Sequence, residues 1–269
     1  MSWLDHFGLS QMPFTKEIAD GELWLPQSKR EVVAEIVAAL EARQPGVLLV
    51  GDPGVGKTCV LRALRHQLPA ERFRLTYCHN ATLGRHDFYR QLCVALGIEV
   101  KATPGAMFYA VGKHVETLAA ERQHPVLLLD EAHMLNPTTL QHLHILSNYG
   151  WDSQALISLV LVGLPELWST LTLRQNRSLW SRIHCRIDLG EASSSDTAEY
   201  LSYRLERVGG GQTLIASDAI LLLHEASQGR LRDIDRLTTA SLHLAAARKL
   251  TRVDRHIVGT IVERQERRQ

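Results

Sequence analysis

The sequence predicts an α/β fold in which helices cover a parallel sheet, followed by a smaller domain made of helices. Short, almost wholly apolar runs alternate with segments of helical periodicity through the first ~190 residues. A glycine-rich loop separates the first long apolar run from the next helix, and beyond Gly190 the pattern predicts helices alone. Strands that are apolar along their whole length and alternate with helices are typical of parallel sheets buried on both faces.

The order of the elements follows from hydrophobic periodicity and from the residues that interrupt it. A first helix is predicted to begin at Ser28, where Ser28 and Glu31 have the spacing of a capping box, and to end at Pro45-Gly46. Strands are predicted at 47–50, 73–79, 126–129, 156–162 and 185–189. Helices are predicted between them at 57–68, 86–96, 104–122, 137–146 and 165–171.

The last part of the chain predicts a small helical lid domain. Its helices are predicted at 196–208, 217–228, 231–249 and 253–267, with glycines at 209–211 and 229 as stop signals. The predicted organisation is therefore an N-terminal segment at 1–27, an α/β core at 28–190 and the helical domain at 191–269.

Composition and charge exclude several classes of protein. The 269 residues are 45% hydrophobic, which is enough for a globular core, and no apolar run approaches the ~18 residues that span a bilayer. A formal net charge of +1 gives no sign of a nucleic-acid or membrane partner at the level of the whole chain. Cysteines 59, 78, 93 and 185 lack the spacing of a metal or redox motif. We therefore expect a cytoplasmic protein with reduced thiols and no membrane partner.

The loop after the strand at 47–50 carries a phosphate-binding motif. The pattern G-x-x-x-x-G-K-[ST] is matched by Gly51, Asp52, Pro53, Gly54, Val55, Gly56, Lys57 and Thr58. Glycines let backbone N–H groups turn toward phosphate oxygens, and the start of the next helix favours negative charge. We predict that Lys57 reaches the β- and γ-phosphates of ATP and that Thr58 ligates Mg²⁺, with Cys59 in the same binding segment.

An acidic pair follows the strand predicted at 126–129. Ligands bind at this end of the strands in such sheets. We predict that Asp130 holds Mg²⁺ through water and that Glu131 orients and polarises the attacking water. Two interpretations remain open for His133: contact with the phosphate region or a neighbouring protomer, and an ordinary histidine at the start of a helix.

Arginines elsewhere are candidates for contact with the γ-phosphate. Arg182 is the first candidate and Arg177 the second, because a guanidinium from a neighbouring protomer can neutralise the charge that develops there. The alternative is a basic surface helix, to which Arg174 also belongs. In the lid domain, Arg232 opens a helix and is predicted to fold back on the nucleotide, against the alternative of a surface arginine.

As an ordered set, these motifs resemble a known family, the ExeA-like (general secretion pathway protein A-like) AAA+ ATPases. In that order the sequence contains Phe7-Gly8-Leu9, Pro13-Phe14, the glycine-rich loop, Asp130-Glu131-Ala132-His133, Leu146-Ser147-Asn148, the stretch 162–167, Ser181-Arg182-Ile183 and Gly229-Arg230-Leu231-Arg232. The resemblance implies a P-loop NTPase αβα sandwich with a helical lid. It also implies homo-oligomers, in a ring or filament with ATP, whose sites are shared between protomers.

One position departs from the family's pattern. Leu164 stands where the family often has glutamine, and a leucine side chain cannot sense the γ-phosphate. Asn148 is the candidate to take over this role, and slow hydrolysis is the other interpretation. The N-terminal segment is expected to pack near the nucleotide, with Phe14 near the adenine.

The resemblance and the charge distribution favour a function in DNA transposition. Secretion members of the family carry a membrane span and a peptidoglycan-binding domain that this sequence does not contain. Stand-alone members resemble the TniB, TnsC and MuB-like ATPases, which assemble on DNA with ATP and recruit or activate a transposase. Residues 229–269 have ten Lys and Arg against five Asp and Glu, whereas residues 1–228 have twenty against twenty-four. This asymmetry suits phosphate contacts, and a solvated helical face is its alternative.

We therefore expect an ATP-dependent regulator of transposition that binds double-stranded DNA without sequence preference and acts with a transposase. The alternative is a soluble ExeA-like ATPase in protein export or envelope assembly. A third interpretation is an ATP-binding switch without enzymatic activity.

Overall fold

A parallel sheet is the centre of the fold. The computed structural model of the protein describes residues 2–78, 84–147, 155–211 and 213–266, with the backbone alone at residue 266. The strands within these residues are β1 (Gly46–Val50), β2 (Phe73–Cys78), β3 (His124–Leu129), β4 (Ser158–Gly163) and β5 (Ile183–Asp188). They form one sheet in the order β2-β3-β4-β1-β5, and each neighbouring pair is parallel. The predicted α/β fold with a parallel sheet is confirmed.

Helices occupy most of the connections between the strands and the chain beyond β5. In chain order they are α1 (Trp3–Phe7), α2 (Gln27–Glu41), α3 (Lys57–Gln67), α4 (Arg85–Leu96), α5 (Pro104–Ala120), α6 (Pro137–His142), α7 (Glu166–Thr172), α8 (Arg177–Trp180), α9 (Ser194–Glu206), α10 (Ser217–Ser227), α11 (Leu231–Ala247) and α12 (Arg255–Glu266). Short 3₁₀ helices lie at Asp20–Glu22, Ala132–Met134, Leu143–Ser147 and Arg174–Asn176. Among the described helices, none has both the length and the apolar character needed to cross a membrane.

The chain forms two compact units, of which the first contains the sheet. This α/β unit consists of Gln27–Asp52 and Lys57–Leu189. All residues of β1, β3 and β4 are buried, as expected for the inner strands of a parallel sheet. Helices α4 and α5 pack on the same apolar core through Leu92, Met107 and Val111. Burial of these side chains is the main force that holds the sheet in place.

The second unit is helical and combines both ends of the chain. It contains the N-terminal residues up to Pro26, the loop residues Pro53–Gly56 and the chain from Gly190 onward. The buried guanidinium of Arg204 donates from Nε to the carbonyl of Pro13 at 2.8 Å and from Nη2 to that of Thr15 at 2.6 Å. Phe14, between these two residues, packs against Tyr200 with ring centroids 6.4 Å apart. The N-terminal segment is therefore bound to α9 of its own unit.

Several element boundaries differ from those predicted. Helix α2 begins at Gln27, so Ser28 lies in the first turn, and the Glu31 carboxylate accepts a hydrogen bond from the Gln27 side chain at 2.9 Å. Strand β3 begins two residues early, at His124, because the backbone of that residue pairs with β2, where its N–H donates to the Arg72 carbonyl at 2.7 Å; its imidazole is hydrogen-bonded to Ser158 on β4. Helix α12 begins two residues late, because Val253 forms a parallel bridge with Ile215. The predicted domain boundaries at 27 and 190 stay predictions.

Candidate nucleotide-binding site

The glycine-rich loop connects the carboxyl end of β1 to the first residue of α3. Gly54 has a φ of 88° and Gly56 a φ of 105°, in the left-handed region that favours glycine. A Cβ at Gly54 would lie 3.1 Å from the Cβ of Arg232, so a larger residue would also crowd its neighbour in the helical unit. Val55, between the two glycines, is completely buried. These features give the loop a defined shape with backbone groups available at its surface.

Lys57 is held by the loop that precedes it. Its Nζ donates to the carbonyl of Gly51 at 2.6 Å and to that of Asp52 at 3.0 Å. An ammonium group has three donors, and phosphate oxygens can take the place of carbonyl oxygens as its acceptors. Thr58 is exposed and Cys59 is half-buried. A cation and a hydroxyl thus stand together at the start of α3.

The acidic pair follows β3, and a tyrosine from the neighbouring strand contacts it. The Asp130 carboxylate accepts from the Tyr77 hydroxyl at 2.8 Å and from the backbone N–H of Glu131 at 2.9 Å. Partial burial, the hydrogen bond to Asp130 and the negative charges of Asp130 and Glu131 raise the pKa of Tyr77. The phenol therefore stays protonated and keeps donating to Asp130, which limits the orientations of the carboxylate.

Glu131 has an unusual backbone and a histidine neighbour. Its φ is 53°, in the left-handed region, where non-glycine residues often have functional roles. Its Oε2 lies 3.5 Å from Nδ1 of His133. The same Nδ1 accepts from the backbone N–H of Leu164, just after β4, at 3.4 Å. His133 therefore contacts both the acidic pair and the end of β4, where the departure from the family's pattern lies.

The candidate arginines of the α/β unit lie on and beside α8. Arg182 donates from Nη1 to the carbonyl of Ser178 at 2.9 Å, within its own helical turn. Arg177 and Arg174 are exposed. These positions agree with the alternative of a basic surface helix as well as with a contact to a neighbouring protomer. Asn148 lies outside the described residues.

In the helical unit, Arg232 is exposed at the start of α11 and close to the loop residue Gly54. Its backbone N–H donates to the Gly54 carbonyl at 3.4 Å. Gly229, in the turn before α11, has a φ of 70°. Its carbonyl accepts a hydrogen bond from the backbone N–H of Ala192 at 3.0 Å. Arg230 is ion-paired with Asp233 at 3.4 Å. Arg232 thus lies near the tip of the loop, and its contact with the nucleotide stays a prediction.

The residues at this edge of the sheet fit Mg²⁺ and a polyphosphate. Thr58 and Asp130 supply oxygen donors, the kind that Mg²⁺ prefers, and Lys57 supplies a positive charge for phosphate oxygens. Since β1 and β3 run parallel on either side of β4, the loop and the acidic pair leave the sheet at the same edge. Such an edge is where ligands bind in open α/β sheets.

Comparison with known proteins assigns the family. The family described as "AAA domain" matches residues 26–171, more than half of the chain. The chain belongs to this AAA family. A curated relative, General secretion pathway protein A of Aeromonas hydrophila, is 32% identical over 244 residues, which cover 90% of this chain and 44% of that protein. This AAA protein therefore spans less than half the length of that relative.

Solved structures confirm the fold. Cdc6p from Pyrobaculum aerophilum matches with a TM-score of 0.71 and 17% identity, covering 90% of this AAA protein and 67% of that chain. Drosophila ORC bound to DNA matches with a TM-score of 0.70 and 20% identity, covering 93% and 63%. The Thermotoga maritima RuvB Holliday junction branch migration motor gives 0.60 and 20%, covering 94% and 73%. At such identities the likeness concerns the fold alone, and the predicted AAA+ fold is confirmed.

Tyr77 belongs to none of the sequence motifs, and yet its hydroxyl contacts the acidic pair. Its strand was recognised, but the contact with Asp130 depends on β2 and β3 being neighbours in the sheet. A signal was present in the sequence, since Tyr77 is a polar aromatic residue close to the end of a strand. For His133 both interpretations were open, and the structure places its imidazole against Glu131.

Proposed function

We propose that this AAA protein binds ATP with Mg²⁺, hydrolyses the ATP and, in its ATP-bound state, assembles on double-stranded DNA to regulate a transposase. One observation carries the ATPase part of the proposal. The loop with Lys57 follows β1, the pair Asp130 and Glu131 follows β3, and both lie at the same edge of the sheet. Membership of the AAA family supports the same activity. The proposal that the protein binds DNA rests on the charge of the helical unit.

In this proposal each residue has one chemical role. Lys57 neutralises charge on the phosphates, while Thr58 and Asp130 hold Mg²⁺, which supplies further neutralisation of phosphate charge when bound. Glu131 orients and polarises the attacking water. Arg182 acts on the site of a neighbouring protomer, and Arg232 responds to the nucleotide from the helical unit.

Exposed cations around the α11–α12 turn support DNA binding. Arg248 and Lys249 follow α11, and Arg252 and Arg255 lie before and at the start of α12; all four are exposed. They belong to the segment 229–269, in which basic residues outnumber acidic ones by ten to five. The Drosophila ORC structure above is of a complex with DNA. In an oligomer such a surface recurs along a duplex, so modest contacts per protomer add up through avidity.

Two variants that fix the nucleotide state test this proposal. Glu131→Gln keeps the shape of the side chain but loses the charge that polarises water, so we expect ATP binding, little phosphate release and assembly. Lys57→Ala loses the cation for the phosphates, and we expect weak ATP binding by calorimetry. Fluorescence anisotropy on random duplex DNA should then show ATP-dependent binding by Glu131→Gln and none by Lys57→Ala. Binding should weaken steeply between about 50 and 200 mM salt because phosphate contacts release counterions.

A matched pair of surface variants separates the effect of the cationic turn on DNA binding from the effect of net charge. Arg248→Ala combined with Arg252→Ala should weaken DNA binding, while Arg85→Ala combined with Arg90→Ala, at two exposed arginines of α4, should have little effect. Equal phosphate release by the parent and Glu131→Gln would contradict the assigned role of Glu131. Absence of ATP-dependent DNA binding even at low salt would contradict the transposition role.

An ATPase of protein export or envelope assembly is the second candidate. One observation favours it, the 32% identity with General secretion pathway protein A. This candidate predicts ATP turnover that duplex DNA does not change, whereas the transposition role predicts assembly or turnover that depends on DNA. Phosphate release measured with and without random duplex DNA therefore separates the two functions.

A further inference from the structure

His133 occupies a position between the acidic pair and strand β4. It lies in the 3₁₀ helix Ala132–Met134, and 19% of its side chain is exposed, against 53% for Glu131. A Cβ at Gly163 would lie 3.2 Å from Nδ1 of His133 and 3.2 Å from its backbone nitrogen. The absence of a side chain at Gly163 is therefore what lets the imidazole approach the end of β4.

The two contacts of Nδ1 exclude each other. Nδ1 accepts from Leu164 N–H at 3.4 Å only when it carries no proton. Glu131 Oε2 lies 3.5 Å from the same nitrogen, and Nδ1 can donate to it only when it carries a proton. Both distances exceed the ~2.9 Å of a typical N–H···O hydrogen bond, so the ring stands between two partners and a small movement favours either.

The imidazole of His133 is a polar group beside Leu164, whose own side chain is apolar. Leu164 follows β4 and has an apolar side chain, so the end of β4 can act on the acidic pair there only through its backbone or through another residue. His133 makes that connection, because the same ring nitrogen faces the Leu164 amide and the Glu131 carboxylate. The position of one proton, on or off Nδ1, therefore determines which of the two groups the ring can bind.

We propose that His133 is a positioning residue for Glu131: the tautomer with a proton on Nδ1 holds the carboxylate, and the tautomer without it binds the Leu164 amide and releases the carboxylate. The inference rests on the proposed ATPase function, in which Glu131 orients water. Glu131 has a left-handed backbone, φ 53°, and a half-exposed side chain, so a neighbouring donor decides how long the carboxylate keeps one orientation. Small errors in the position of a catalytic group reduce rates strongly.

Three variants separate the role of Nδ1 from the packing of the ring. His133→Phe keeps an aromatic ring and loses the nitrogen that makes both contacts. His133→Asn places an amide near the position of Nδ1, whose oxygen accepts from Leu164 and whose nitrogen donates to Glu131. His144→Phe, a half-buried histidine of the 3₁₀ helix Leu143–Ser147, is the control for a histidine-to-phenylalanine change elsewhere.

Steady-state hydrolysis and ATP affinity are the first readout. We expect His133→Phe to lower kcat about tenfold with unchanged Kd for ATP, and His133→Asn to stay within about threefold of the parent. His133→Phe in a Glu131→Gln background should cause no further loss. Parental kcat in His133→Phe, or equal losses in His133→Phe and His133→Asn, would overturn the proposal.

The second readout does not need turnover. Hydrogen exchange at the Leu164 amide, followed by NMR, should be faster in His133→Phe than in the parent and restored in His133→Asn. Unchanged exchange in His133→Phe would overturn the proposal even if hydrolysis falls. If the parent and Glu131→Gln hydrolyse ATP equally, the proposed function fails for Glu131, and the exchange result still decides whether His133 binds Leu164.

Discussion

At the scale of single residues, Asp130 depends on a neighbour that sequence motifs do not include. Tyr77 is 48% exposed and yet donates to the Asp130 carboxylate at 2.8 Å. Each carboxylate oxygen has two acceptor positions, so the bond leaves Asp130 able to hold Mg²⁺ through water. The tyrosine therefore acts on the orientation of Asp130.

Removal of the Tyr77 hydroxyl should weaken the use of Mg²⁺. In Tyr77→Phe, Asp130 loses one donor, and the Mg²⁺ concentration for half-maximal ATP hydrolysis should rise roughly threefold to tenfold, or about 1 kcal/mol. Tyr109→Phe, at a tyrosine that is 74% exposed on α5, is the control and should match the parent. A Mg²⁺ dependence of Tyr77→Phe equal to that of the parent would show that this hydrogen bond does not support the metal site.

At the scale of elements, the sequence predicts where the strands lie along the chain better than it predicts which strands are neighbours in the sheet. Apolar runs and the glycine-rich loop predict β1, β3 and β4, because a strand that is buried on both faces has a continuous apolar sequence. The sequence does not predict the start of β3 at His124 because that residue is polar. Its imidazole is buried together with its hydrogen-bond partner Ser158, which is distant in sequence. Tyr77 was missed because sheet order joins residues that are distant in sequence. The glycine-rich loop and the acidic pair could be predicted without knowledge of sheet order or side-chain contacts, since each is a contiguous motif.

Burial of His124 in the sheet should make the free energy of unfolding sensitive to acid. Burial, and secondarily the charge of Arg43, lowers the pKa of His124 from 6.5 to about 4. Between these values the unfolded chain binds a proton that the folded chain does not, so the free energy of unfolding should fall as the pH drops through this window. From pH 7 to pH 5 this one group should account for roughly 2 kcal/mol.

Urea unfolding at both pH values measures this effect. His124→Gln cannot be protonated in this range, so it should lose less stability on acidification than the parent. His256→Gln, at an exposed histidine of α12, should keep the parent's pH dependence. Parallel losses in the parent and His124→Gln would mean that His124 does not set the acid sensitivity.

At the scale of the whole molecule, we propose that a second copy of the chain completes the site. Arg182 follows α8 and contacts Ser178 of that helix, and its proposed role in hydrolysis is to act on a neighbouring protomer. Arg182→Ala should then bind ATP and fail to hydrolyse it. Mixing it with Lys57→Ala protein should restore part of the turnover, because an intact arginine then faces an intact loop.

Arg186→Ala is the control for that mixing experiment. Its guanidinium lies 3.8 Å from the ring centroid of Trp180, on the exposed side of β5, and its loss should leave hydrolysis nearly unchanged. Phosphate release across mixing ratios is the measurement. Lack of rescue at every ratio would argue against a site shared between protomers.

The binding of the N-terminal segment to the helical unit has a consequence for synthesis on the ribosome. His6 is hydrogen-bonded to Leu250, Ser10 to Val208 and Pro13 to Arg204, over sequence separations of 244, 198 and 191 residues. When the first residues emerge, none of these partners has been translated, and at ~5–20 residues per second the wait lasts on the order of 10–50 s. During that interval Trp3, Phe7 and Phe14 lack the helices that cover them, so the nascent chain presents an aromatic segment to chaperones until the residues around Leu250 have been translated.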